Sequence, residues 1–131
     1  MKQSLRDRFD RQVERVLAGM PPLVHQLLER IPLHVEDHPP RDVMEEKGVV
    51  DLDELCGLFT GVSIQERSVD GPAQLPDFVT IYRLGILAAA SDDHGHVSAD
   101  RLREEIRITI LHELAHFLGL DEEELEQLGY G

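Results

Sequence analysis

Leu5, Phe9, Val13, Val16 and Leu17 recur at helical spacing with charges between them, predicting an amphipathic helix over residues 4–18, stopped by Gly19 and the Pro21-Pro22 pair. A second, shorter helix over residues 22–30 accommodates Leu23, Leu27 and Leu28. Residues 31–36 then alternate apolar and polar side chains, predicting a strand closed by His38-Pro39-Pro40, and residues 41–47 read as a helix or turn. Two short strands, 57–60 and 62–67, are expected around Thr60-Gly61, and the β-branched and aromatic run Phe78 to Tyr82 is a further strand. Gly85 to Ala90 reads as a helical turn. Ser98 is a candidate N-cap for the longest helix, Ala99 to Leu118, which Gly119 ends, and residues 121–128 form a last short helix.

With 131 residues, no internal repeat and no shift in composition, the chain is read as one domain, residues 1–131. Its 26 Asp and Glu against 13 Lys and Arg leave a net charge of −13. Such a surface repels phosphate backbones and anionic lipid, and no cluster of Lys and Arg offsets it, so no nucleic-acid and no membrane partner is expected. Cys56 is the single cysteine, so no internal disulfide can form. The first twelve residues alternate charged and apolar side chains, unlike a secretory signal. The nearly uncharged stretch from Leu84 to Ser91 falls far short of the roughly 20 residues that span a bilayer. The expected location is the cytoplasm.

The candidate chemistry lies in His112-Glu113-Leu114-Ala115-His116. Four residues advance a helix by about 400°, so the two imidazoles project from one face a turn apart and can grip one ion. Glu113 lies about 100° round from His112, within reach of a water on that ion without being a ligand. On a helical wheel Ile108, Ile110, Leu111, Leu114, Ala115, Phe117 and Leu118 cover one wide apolar arc, and the remaining arc holds Thr109, His112, Glu113 and His116. The helix is therefore expected to be mostly buried, with its polar strip made of these residues. A divalent cation would offset the desolvation of all three ionisable groups together. The alternative is a pair of core histidines held by hydrogen bonds, with Glu113 facing solvent.

A catalytic zinc site takes three protein ligands and leaves a position for water. With 15 residues after His116, a third donor must come from just past the helix, where Gly119 lets the chain turn back. Glu122, six residues after His116, is the favoured third ligand; Asp121 is the nearest competitor, with Glu123, Glu124 and Glu126 behind it. For most of this acidic run a solvated helix start, favoured by the helix dipole, is the simpler account.

His112-Glu113-x-x-His116-x-x-Gly119-x-x-Glu122 resembles the extended zinc motif of metzincin-type metallopeptidases, with glutamate where a third histidine or aspartate is usual and no room for a Met-turn. It is more similar to a family of small bacterial proteins described as minimal zincin-fold metallopeptidases, in which the motif sits close to the carboxyl terminus. Gly57-Leu58-Phe59-Thr60-Gly61-Val62, the run from Leu75 to Arg83, and Leu128-Gly129-Tyr130 resemble other recurring segments of that family. The resemblance implies an α+β fold, a small mixed β-sheet packed against two main helices, the second carrying the metal ligands near the C-terminus. It also implies a peptidase role on a peptide or protein substrate.

The function expected from these residues is a zinc-dependent metallopeptidase in which His112, His116 and Glu122 hold Zn2+ and Glu113 is the general base. Residues 62–67 are the candidate edge strand for pairing with an extended peptide, against an ordinary capped edge. Tyr130, Tyr82 and Arg83 are candidate oxyanion donors for which packing is the simpler account. The main alternative is a metal-stabilised peptide-binding module without turnover. A metal-dependent ribonuclease suits the size but not the charge. His34, Glu36, Asp37 and His38 read as a strand end with alternating faces, His94-Gly95-His96 as a solvated turn, and Cys56 as a small buried side chain.

Overall fold

The computed structural model describes residues 1–61 and 77–127, apart from the side chains of Glu122, Leu125 and Glu126. Among these residues the elements are α1 (Gln3–Ala18), α2 (Pro22–Arg30), β1 (Leu33–Glu36), α3 (Arg41–Lys47), β2 (Gly57–Thr60), β3 (Phe78–Tyr82), α4 (Arg83–Ala90), α5 (Ala99–Leu118) and α6 (Glu122–Gln127). The fold class is α+β, a small mixed sheet against two long helices, α1 and α5.

The strand order is β1-β3-β2, with β1 parallel and β2 antiparallel to β3. Leu33 and Val35 register with Val79 and Ile81, which in turn register with Phe59 and Gly57. These residues share the face that meets the helices, because successive side chains alternate across a strand. Val79 and Ile81 are fully buried there with Phe9, Val13 and Val16 of α1 and Leu102, Ile106, Ile110, Leu114 and Phe117 of α5. The helical spacing of the α1 set is thus a record of its contact with α5 and the sheet.

Four charged residues fasten α1 to the C-terminal end of the parallel pair. Arg83, the first residue of α4, donates Nε and Nη2 to the two Asp10 carboxylate oxygens at 3.1 and 3.0 Å and Nη1 to Asp37 at 2.9 Å. Arg6 grips the same Asp37, its shortest bond 2.6 Å. Both guanidinium groups hold the Asp37 carboxyl far down, at about 2.

Two boundaries differ by two residues from the sequence reading. β1 begins at Leu33 rather than Ile31, because Ile31 closes α2 by donating its N–H to the Leu27 carbonyl at 2.8 Å and is itself buried. The helical turn expected at 85–90 begins two residues earlier, at Arg83, as α4, which follows β3 without a loop. Gly85 permits this, since a Cβ there would stand 2.1 Å from the Leu55 carbonyl oxygen. The strand expected at 62–67 lies outside the described residues.

Candidate metal centre

α5 is built as its sequence dictates. The Ser98 side chain accepts the Arg101 N–H at 3.2 Å, Asp100 lies in the first turn, and Gly119 ends the helix in the left-handed region at φ 72°. The N–H of Leu120 returns to the Ala115 carbonyl at 2.9 Å, which turns the chain toward α6. Within this frame the His112 and His116 rings stand 4.7 Å apart, centroid to centroid, on one face. His112 is half-buried and His116 exposed.

Glu113 is the buried member, 6% exposed. Its place is set by β2. Cys56 accepts the Tyr82 N–H at 2.8 Å, and Leu58 registers with Thr80. In an antiparallel ladder the residues that alternate with Cys56 and Leu58, namely Gly57 and Phe59, turn their N–H groups away from β3. The Phe59 backbone accordingly hydrogen-bonds the Glu113 carboxylate. Gly57 leaves the necessary space: a Cβ there would lie 2.7 Å from Thr109 Cγ2 and 3.2 Å from Glu113 Cγ. Desolvation pushes the Glu113 carboxyl up, while His112, the Phe59 N–H and Lys47 pull the other way.

The helical wheel is corrected in two places. Ile108, expected on the apolar arc, is 42% exposed, because it sits one turn before His112 on the open side of α5. Thr109, expected on the polar strip, is buried beneath β2 and donates its hydroxyl to the Glu105 carbonyl at 2.7 Å. The strip therefore divides: Thr109 and Glu113 face the sheet, His112 and His116 face outward. The alternative with Glu113 in solvent does not describe this molecule.

His112, Glu113 and His116 each offer a ligand atom, all within 4.8 Å of one another. Glu113 Oε1 and His116 Nδ1 are 3.1 Å apart. The two imidazole nitrogens are donors that fit a divalent cation of zinc's preferences, with the desolvated Glu113 carboxylate beside them. For the third donor, Glu122 opens α6, but its side chain is outside the described residues. Asp121 is exposed and accepts the Glu124 N–H at 2.8 Å, the geometry of an N-cap.

The remaining residues singled out in the sequence are occupied elsewhere. Tyr82 is buried, its phenol pushed up to about 12 by desolvation and the nearby Glu36, Asp42 and Glu113. Arg83 is bound to Asp10 and Asp37, and Tyr130 is outside the described residues. His34 stacks on Phe78 with centroids 4.6 Å apart, while His38 Nδ1 lies 2.9 Å from the Pro39 carbonyl oxygen. His94 and His96 donate their backbone N–H groups to Asp92 in a turn. Cys56 is half-buried, its thiol pushed up by desolvation and then by Glu105 and Glu113.

Sequence reasoning missed Gly57 and the Phe59 N–H as parts of the site. A glycine opening a strand is a known sign of close approach by another group, and that was the available signal. No curated protein matches the chain in sequence. A buried glutamate between an edge of β2 and two histidines a turn apart is what a zincin helix requires, and residues 28–131 match the zincin-like metallopeptidase family, to which this chain belongs.

Proposed function

We propose that the chain is a zinc-dependent peptidase in which His112, His116 and Glu122 hold the metal and Glu113 is the general base. The observation that carries this reading is the burial of Glu113 within ligand distance of two outward-facing imidazoles. Zinc, when bound, supplies a Lewis acid that polarises the scissile carbonyl and renders water reactive near neutral pH. Glu113 then takes the water's proton and returns it to the leaving amine. Its desolvated surroundings raise its basicity, and the Phe59 N–H holds one carboxylate orientation.

Among the described residues β2 is an outer strand of the sheet, and an extended substrate would add to its unpaired edge beyond Phe59, whose N–H Glu113 already takes. A peptide is the substrate class this edge suits. A chain of net charge −13 does not suit nucleic acid, and among the described residues no helix is long and apolar enough to cross a membrane.

The test is elemental analysis of protein purified without added metal, combined with cleavage of a broad peptide library. Stoichiometric zinc and turnover are expected for the natural chain. Glu113→Gln should keep the zinc and lose turnover by about 10²- to 10⁴-fold. Zinc with no cleavage by the natural chain would replace the peptidase with a metal-stabilised peptide-binding module, and unchanged turnover in Glu113→Gln would remove Glu113 from the chemistry.

A further inference from the structure

Away from the metal centre, a cavity of about 490 Å³ opens between the first half of α1, the end of α4, the 92–97 turn and the start of α5. Its volume lies within the range of small-molecule sites. Phe9 and Leu102, both fully buried, lie beneath it, and Leu5, Leu87 and Val97 supply its accessible apolar surface. At its rim stand Arg8 and His96.

The charge of this lining departs from the rest of the molecule. The chain has 26 acidic residues, yet none of the described lining residues is acidic. The nearest turn carboxylate, Asp92, accepts the backbone N–H groups of His94 and His96. Among the described residues the Arg8 guanidinium donates to the neutral Val97 carbonyl, at 3.4 Å, and to no carboxylate. An apolar cavity with a guanidinium and an imidazole at its rim selects an apolar body that ends in an anion.

We infer that this cavity is a binding site for a small aliphatic carboxylate, its chain against Leu5, Leu87 and Val97 and its carboxylate between Arg8 and His96. The site is separate from the metal centre. Leu102 precedes His112 by ten residues of one helix, which is about 15 Å along the axis. Occupancy would brace α1, α4 and the N-terminal end of α5 against one another.

The experiment is titration calorimetry of the full chain with hexanoate, octanoate and decanoate, with octanol and octylammonium as controls. Octanoate should bind once per chain with a dissociation constant below about 1 mM. Affinity should rise about fourfold per added methylene until the cavity is full. Octanol and octylammonium should bind at least tenfold more weakly than octanoate.

Arg8→Glu, an exposed position that leaves the core intact, should weaken octanoate by about tenfold or more, and Arg8→Gln by less. His116→Ala should leave the affinity unchanged, because a carboxylate captured at the metal centre would lose its partner there. No binding of octanoate at several times that concentration would overturn the inference. So would equal binding of octylammonium, or an octanoate affinity that follows His116 rather than Arg8.

Discussion

Gly57 and Glu113 stand so close that a Cβ on the glycine would lie 3.2 Å from Glu113 Cγ, with Thr109 Cγ2 at 2.7 Å and the Thr80 carbonyl oxygen at 3.1 Å. The demand is steric, because the backbone of Gly57 is not among the positive-φ glycines. The strand therefore approaches α5 where it has no side chain.

Gly57→Ala is accordingly expected to cost about 1 to 3 kcal/mol by overpacking, and to lower turnover by displacing Glu113. Thr109 is fixed by its bond to the Glu105 carbonyl, so it cannot easily give way. Thr109→Ser keeps that bond and removes the closest methyl. The double variant should recover most of the lost melting temperature in a thermal scan, and a double variant no more stable than Gly57→Ala would show that the methyl is not the obstacle.

Metal binding should appear as stability. If zinc binds the folded chain alone, a concentration 100 times its dissociation constant adds about 2.7 kcal/mol. Thermal melts with and without chelator should therefore separate by several degrees. His112→Ala and His116→Ala should each abolish that separation while changing the chelated melt little, since both rings sit on the outward side of α5. A chelator-insensitive melt in the natural chain would argue that no cation stabilises this face.

Asp37 makes acid stability measurable. Its folded pKa of about 2 lies below the ordinary aspartate value of 3.8, so its contribution is complete above about pH 4 and is lost as pH falls toward 2. After allowance for partial exposure, Asp37→Asn should cost on the order of 1 kcal/mol at pH 7. It should also flatten the fall in stability between pH 4 and 2, as followed by urea melts. An unaltered acid limb in Asp37→Asn would assign that fall to other carboxylates.

Gly119 adopts φ 72°, a conformation that costs an L-residue about 1 to 2 kcal/mol. Gly119→Ala should lower stability by about 1 kcal/mol, whereas Gly119→Asn should lose less. Because this turn delivers the start of α6, the alanine variant should also weaken zinc binding more than its stability loss explains. Equal zinc affinity in the two variants at matched folding would separate the turn from the third ligand.

The longest helix was legible because its signals are local. A serine that caps, a glycine that ends the last turn, and histidines four apart need no knowledge of distant residues, since hydrogen bonding within the helix sets both its limits and its angular spacing. The same locality explains the correct reading of β2 and β3 and the slight error at Ile31, where one backbone hydrogen bond decided between helix end and strand.

What faces a helix is a different kind of fact. A wheel places Ile108 beside Ala115 and Thr109 beside Glu113, but which sector is covered depends on where the sheet packs. Here β2 crosses the Thr109–Glu113 side and leaves Ile108 with the histidines. Likewise Asp10, Asp37 and Arg83, far apart along the chain, became one ion network through the parallel pairing of β1 and β3. The sequence alone determined the helix, its ends and the shared face of His112 and His116, through interactions spanning a few residues. The tertiary structure alone decided that Glu113 is desolvated against Gly57 and Phe59, because burial is set by long-range packing, which periodicity cannot record.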